Sequence, residues 1–139
     1  MTTPAAHPTL LVSAAVIVEG DRVLLTQRKR GSHLAGAWEF PGGKVEPGED
    51  PRDALARELR EEIGVEAEAR DILEVTFHRY PEKAVLLLFF ATVRAPGSPE
   101  PRPIDVADVR WATHDELRDE LFPPADLAVL GKVRALLAR

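Results

Sequence analysis

Three glutamates are placed so that they could act together on one side of a helix. They are Glu58, Glu61 and Glu62, at positions i, i+3 and i+4 of the charged segment R-E-L-R-E-E, residues 57–62. At about 100° per residue, their carboxylates would fall within roughly one third of a helix circumference. Like charges at this spacing destabilise a helix unless something neutralises them. A bound divalent cation would do so, whereas a solvated acidic face is the ordinary alternative for such a run of charge.

A glycine-rich turn precedes the three glutamates. Gly42, Gly43 and Gly48 stand in this turn, and glycine lets the backbone approach a ligand closely. Mg²⁺ prefers carboxylate, carbonyl and water oxygens and commonly shares substrate phosphates. A strand, a glycine turn and a helix with three acids therefore suit Mg²⁺-assisted attack on a phosphoanhydride.

Arg57 lies among these acids and has two candidate partners. It can pair with Glu49 across the turn, as a contact that positions the turn against the helix. It can instead pair with Glu61 as an ordinary i,i+4 brace on the helix surface. The sequence leaves both pairings open.

The helix that carries the acids has well-marked ends. Asp50 is a favourable N-cap residue, Pro51 suits the first helical position, and Gly64 stops the helix. The apolar residues of its buried stripe are Leu55, Leu59 and Ile63. These features predict a helix over residues 51–63.

Strands and further helices surround this helix in the predicted layout. The predicted strands are residues 10–18, 23–26, 37–40, 44–45, 71–78, 84–93 and 106–111. Residues 10–18 and 23–26 would form a hairpin or two successive strands of a buried sheet. The almost wholly apolar strand 84–93 would be central. Thr113 could cap a short helix ending at Leu117, and a last helix would run from Pro123 to about Leu137.

The two remaining stretches read as loops. Residues 28–36 form a basic polar loop, and residues 95–103 form a proline-rich surface loop. The alternation of strands and helices predicts one α/β domain over residues 1–139.

Composition restricts the classes of function. The formal net charge of −5 argues against binding to polymeric nucleic acid or to an anionic membrane. The chain has no cysteine, so thiolate catalysis and cysteine-bound zinc are excluded. No Lys or Arg precedes Arg22, and the apolar run 10–18 is too short to span a bilayer. These features favour a cytoplasmic protein.

The acidic segment and its glycine turn match a known sequence box. Residues 43–65 fit the Nudix box, G-x5-E-x7-R-E-U-x-E-E-x-G-U with U aliphatic, at every specified position. The matching residues are Gly43, Glu49, Arg57, Glu58, Leu59, Glu61, Glu62, Gly64 and Val65. The chain therefore resembles Nudix hydrolases, which implies an α/β/α sandwich with a mixed central sheet. The resemblance also implies hydrolysis of a nucleoside diphosphate linked to another moiety.

The same resemblance assigns roles within the box. Glu58, Glu61 and Glu62 would bind Mg²⁺ or Mn²⁺, with a carbonyl near Gly42 or Gly43 as a further ligand. Glu58 would alternatively orient or deprotonate the attacking water.

Segments outside the box are similar to the MutT-like subgroup. They are residues 24–30, His33, residues 38–43 and residues 122–126. This resemblance implies cleavage of a nucleoside triphosphate to the monophosphate and pyrophosphate, by a monomer or homodimer. The nucleotide site would include Arg28, His33, Phe40, Lys44 and Asp126, and Asp105 would be a late metal ligand or base. The alternatives are a solvated loop for Arg28 and His33 and core packing for Phe40.

Asp126 departs from the asparagine found at the matching position of the 8-oxoguanine-reading enzyme. An amide both donates and accepts, whereas an ionised aspartate only accepts and would favour an amino group such as cytosine N4. A protonated Asp126 would restore guanine recognition, and a plain helix N-terminal acid is the structural alternative.

The predicted function is sanitation of the nucleotide pool by removal of 8-oxo-dGTP or a related modified dNTP. Hydrolysis of CTP or 5-methyl-dCTP is the first alternative. Another Nudix activity, such as hydrolysis of ADP-ribose, is the second, and a non-catalytic nucleotide sensor is the last.

Overall fold

The computed structural model describes residues 8–137 and contains eight strands and two α-helices within them. The strands are β1 Thr9–Val16, β2 Val18–Glu19, β3 Arg22–Gln27, β4 Trp38–Glu39, β5 Gly42–Lys44, β6 Ala67–Tyr80, β7 Lys83–Arg94 and β8 Asp108–Thr113. The helices are α1 Pro51–Ile63 and α2 Leu127–Leu137. Single 3₁₀ turns lie at His114–Glu116, Asp119–Leu121 and Pro124–Asp126.

One sheet is mixed, as predicted, and has the strand order β5-β1-β7-β6. β1 pairs antiparallel with β5 and parallel with β7. β7 has a neighbour on each side, and this interior place is the reason that its sequence is almost wholly apolar.

A second, antiparallel sheet contains β2, β3, β4 and β8, and the sequence did not predict it as a separate sheet. The predicted hairpin exists only between β2 and β3, which meet around Gly20. The expectation that residues 10–18 and 23–26 share one sheet was wrong, because β1 pairs with β7 and β5 instead.

β1 separates two hydrophobic cores, each covered by one helix. Because side chains alternate along a strand, Ala14 and Val16 face the core beneath α2, and Ala15 faces the core beneath α1. The α1 core contains Leu24, Leu55, Leu59, Ile63, Val65 and Phe90. The α2 core contains Val23, Leu25, Phe40, Phe89, Phe122, Val129, Leu130 and Val133. The result is the predicted α/β/α layering.

α1 begins and ends where the sequence predicts. The Asp50 carboxylate accepts hydrogen bonds from the backbone amides of Arg52, at 2.8 Å, and Asp53, at 3.4 Å. Gly64 adopts a left-handed φ of 72° and closes the C-terminus. The position of the glutamates along the chain is therefore fixed by local signals.

Other boundaries differ from the predictions. β6 is longer than residues 71–78 and contains two register irregularities against β7, between residues 69 and 74. β8 lies two residues later than predicted. The last helix starts with a 3₁₀ turn, so α2 proper begins at Leu127. Within residues 8–137, no helix is long and apolar enough to cross a membrane.

Candidate active site

The three glutamates of α1 share a helix face but differ in burial. The side chain of Glu58 is 15% exposed, whereas that of Glu61 is 59% exposed. The opposite stripe of α1 is buried in the core, so this face is turned toward the glycine turn and β5. The acids therefore form a graded set, from the partly buried Glu58 and Glu62 to the exposed Glu61.

Arg57 connects the glycine turn to the acidic face. Its Nε and Nη2 donate to the two carboxylate oxygens of Glu49, at 2.8 and 3.0 Å. Nη2 also donates to the Lys44 carbonyl at 3.1 Å, and Nη1 lies 3.1 and 3.2 Å from carboxylate oxygens of Glu58 and Glu61. Both pairings that the sequence left open are therefore present at once.

The fork between Arg57 and Glu49 changes the protonation of both groups. Hydrogen bonds from the Arg57 guanidinium and from the Glu46 backbone amide lower the pKa of Glu49 to about 2. The same carboxylate raises the pKa of Arg57. The turn is consequently held by a fully charged, two-pronged contact at any physiological pH.

Glu62 is a partly buried acid beside a second acid, Glu58. Burial, followed by the hydrogen bond and charge of Glu58, raises the pKa of Glu62 to about 9. Among residues 8–137, no group of three or more His, Asp or Glu side chains is drawn together as a metal-binding cluster. Arg57 contacts Glu58 and Glu61, and the raised pKa of Glu62 favours its protonated form, which lowers the repulsion from Glu58.

Gly43 leaves room for the Glu58 carboxylate. A Cβ built on Gly43 would lie closer than van der Waals contact to all three carboxyl atoms of Glu58. A Cβ on Gly42 would instead overlap the backbone of Ser13 and Ala14 on β1. The two neighbouring glycines therefore serve different purposes: Gly42 allows strand packing, and Gly43 allows close approach of a carboxylate.

One cavity of about 380 Å³ extends from this acidic face to the start of α2. The predicted site residues that line it are Arg28, His33, Phe40, Gly43, Lys44, Glu58, Glu62 and Asp126. Glu49, Arg57, Glu61 and Asp105 lie outside its lining. The cavity thus joins the proposed chemistry to the proposed base-reading residue.

Asp126 lines the same cavity as the glutamates, although it follows Glu62 by 64 residues in the chain. The residue is 5% exposed, and its Oδ2 has no hydrogen-bond partner among the described residues. Burial, together with the charge of Glu39, raises the pKa of Asp126 to about 8, against the opposing effects of the Phe40 amide and Arg28. The group is consequently protonated at neutral pH and can both donate and accept a hydrogen bond.

Arg28 is held inside the basic loop rather than free in the cavity. Its Nη1 lies 3.0 and 3.2 Å from the Glu39 carboxylate oxygens, and its Nε donates to the His33 carbonyl. In the same loop, Lys29 forms an ion pair with Asp105 at 2.5 Å. The expected metal role of Asp105 stays a prediction, and its side chain is paired with a lysine here.

Phe40 belongs mainly to the core. Its ring stacks on Phe122 with centroids 5.8 Å apart and meets Phe89 edge-on at 6.1 Å. It is 3% exposed, so only a small part of it borders the cavity. The core packing that the sequence offered as the alternative is what the structure contains.

Three titratable residues that line the cavity were not predicted: Glu39, Tyr80 and Lys83. Glu39 had a signal in the sequence, since it is a single charge between the aromatic residues Trp38 and Phe40. Tyr80 and Lys83 had none, because they reach the cavity only through the pairing of β6 with β7.

Comparison with known proteins places this arrangement in context. Residues 9–131 match the NUDIX domain family. The 8-oxo-dGTP diphosphatase of Escherichia coli K12 is 32% identical over 118 residues, which cover 85% of this chain and 90% of that protein. The CTP pyrophosphohydrolase of the same strain is 59% identical over 56 residues, 40% of this chain and 42% of that protein. The solution structure of the E. coli ORF135 protein superposes with a TM-score of 0.76 at 34% identity, covering 94% and 91% of the two chains.

Proposed function

Since this chain belongs to the NUDIX domain family, we propose that it hydrolyses a nucleoside triphosphate to the monophosphate and pyrophosphate. The observation that carries the proposal is that Glu58, Glu62 and Asp126 line the same cavity. A triphosphate needs acidic groups for a metal-bound phosphate chain and a separate place for the base. The unbroken Nudix box supports catalysis over a merely nucleotide-binding role.

The acidic face fits a divalent metal. Glu58 and Glu62 are two partly buried acids in contact, and a nearby cation would favour the fully charged form of the pair. Glu58, Glu61 and Glu62 would hold Mg²⁺ or Mn²⁺ with the Gly43 backbone, and Asp105 is a candidate for a further ligand. When bound, the metal would polarise the phosphoanhydride and activate water.

The protein side chains would then divide the remaining tasks. Glu58 would orient the attacking water or take its proton, and Arg57 would keep Glu58 and Glu61 in place through its contacts at 3.1 and 3.2 Å. Glu49 would anchor Arg57 to the turn. Lys44 lines the cavity beside the acidic end and would contact phosphate.

The base favoured by this site is 8-oxoguanine. A protonated Asp126 offers one donor and one acceptor, as an amide does, which suits a purine O6 together with the N7–H created by oxidation. Such an enzyme would remove damaged dNTPs from the cytoplasmic pool and so protect DNA. His33, Arg28 and Phe40 would border the nucleotide.

Cytosine is the second candidate, for a specific reason. The match to the CTP pyrophosphohydrolase has the higher identity, at 59%, although it covers less of the chain. An ionised Asp126 would accept a hydrogen bond from cytosine N4. CTP, dCTP and 5-methyl-dCTP are therefore the substrates to compare with 8-oxo-dGTP.

Turnover by two glutamine variants tests the chemistry. We expect Glu61→Gln and Glu62→Gln each to lower kcat by at least about 100-fold, because each removes a carboxylate that would hold the metal. Asp53→Asn on the same helix is the matched control, since Asp53 lies in the first turn away from the cavity. Pyrophosphate release is measured for 8-oxo-dGTP, CTP, 5-methyl-dCTP, dATP and ADP-ribose at saturating Mg²⁺. Undiminished turnover in both glutamine variants would refute the metal assignment.

A further inference from the structure

Tyr80, the last residue of β6, is an aromatic side chain in the cavity that the site described above does not use. It is also the chain's single tyrosine. We propose that Tyr80 is the aromatic surface on which the nucleobase stacks, and that it sets affinity for the base. This inference rests on the proposed function and adds a base-contacting residue to that same cavity.

The other aromatic residue of the cavity is already engaged. The Phe40 ring has a near-parallel partner in Phe122, with 27° between the two planes, and an edge contact with Phe89. Both partners belong to the same buried core as Phe40. A base could stack on Phe40 only if this core opened.

The contacts of Tyr80 are of a different kind. Its ring meets His33 at 4.9 Å and 87° and His78 at 4.6 Å and 65°, so both are edge contacts. Among residues 8–137, no ring lies parallel to it. Nζ of Lys83 also lies over the half-buried Tyr80 ring, 5.9 Å from its centroid. Tyr80 therefore has edge and cation neighbours but no parallel ring, and stacking is the aromatic contact that it lacks.

The surroundings also keep the Tyr80 hydroxyl neutral, which suits contact with an uncharged base. Burial and the charges of Asp126 and Glu39 raise the pKa of Tyr80, against the opposing charge of Arg28. Asp126 and Tyr80 both line the cavity, and the charge of Asp126 reaches the Tyr80 hydroxyl. A base that reaches Asp126 with its polar edge would meet Tyr80 with its face.

A binding measurement that needs no turnover tests the inference directly. With ¹³C-labelled tyrosine, one set of ring signals reports on Tyr80 alone. We expect dGMP, 8-oxo-dGMP or dCMP, added without divalent metal, to shift these signals upfield by ring current. Ribose 5-phosphate, which has no base, should leave them in place. Tyr80 signals that no nucleotide moves at 10 mM, or that ribose 5-phosphate moves equally, would overturn the assignment.

Three variants separate stacking from a structural role. We expect Tyr80→Leu to raise KM for the preferred triphosphate about 10-fold with kcat within about twofold, because base stacking contributes to binding in ground and transition states alike. Tyr80→Phe keeps the ring and should stay within about threefold of the wild type. Phe77→Leu is the control, since Phe77 is 50% exposed on the other face of β6.

The outcomes distinguish this inference from the proposed function. An unchanged KM in Tyr80→Leu overturns the stacking role. If the wild type hydrolyses no triphosphate but nucleotides still shift the Tyr80 signals in a base-dependent way, only the proposed reaction is refuted. If Tyr80→Leu does not fold, as judged by thermal unfolding, the wild-type titration still decides.

Discussion

At the scale of single residues, the protonation of Asp126 links base recognition to stability. Its pKa is raised to about 8 in the folded protein, well above the ordinary value of 3.8. Between these two values the folded chain holds a proton that the unfolded chain has released. Stability must therefore fall as pH rises through this interval, by up to about 1.4 kcal/mol per pH unit.

Replacing this carboxyl group should remove that part of the pH dependence. We expect the free energy of unfolding of the wild type, relative to Asp126→Asn, to decrease by at most about 3 kcal/mol from pH 5 to pH 7.5. Urea unfolding of both proteins at the two pH values measures this difference. Asp115→Asn, at a nearly fully exposed position, is the control. A difference between wild type and Asp126→Asn that does not change with pH would contradict the prediction.

Residues differ in how far the sequence determines their role. Glu58 and Glu61 could be placed on one face because helix spacing is a local property. The protonation of Asp126 could not be predicted, because it depends on burial and on Glu39, which is 87 residues earlier in the chain. The place of Tyr80 could not be predicted because it reaches the cavity only through the pairing of β6 with β7, where it lies opposite Lys83.

At the scale of elements, α1 could be predicted from its own sequence, whereas the pairing of the strands could not. The helix was predicted to the residue because its Asp50 cap and Gly64 stop lie within its own sequence. The two sheets were not separated, because strand partners lie far apart in the chain: β3 pairs with β8, about 85 residues later. Propensity identifies a strand, but long-range packing selects its sheet.

Gly42 and Gly43, at the start of the turn between β5 and α1, should respond differently to the same substitution. We expect Gly43→Ala to lower kcat about 10-fold or more with little change in thermal unfolding, because its Cβ would displace only the flexible end of Glu58. Gly42→Ala should instead destabilise the fold by at least about 2 kcal/mol, because its Cβ would overlap the β1 backbone. Activity and unfolding are measured for both variants. Equal destabilisation by the two substitutions would show that Glu58 cannot move aside.

At the scale of the whole molecule, the cavity crosses between the two layers that β1 separates. The acidic end is built by β5 and α1, and the base end by the residues around β4, the end of β6 and the start of α2. Glu39 also lines the cavity, and its charge raises the pKa of both Glu62 and Asp126. The two ends are therefore separate in structure, with one carboxylate as their electrostatic link.

Substitutions at the acidic end and at the base end of the cavity should therefore have independent effects on kcat/KM. We expect Gly43→Ala to lower kcat/KM by the same factor for every base, since it disturbs only Glu58. Asp126→Asn should change the ranking of bases, retaining 8-oxo-dGTP and losing dCTP, since an amide cannot become the anionic acceptor that cytosine N4 favours. The double variant should then show the product of the two effects within about twofold for each substrate. A double variant that differs from this product by more than about tenfold would mean that the two ends are coupled. In that case Glu39→Gln, which removes the charge that links them, should make the two effects independent again.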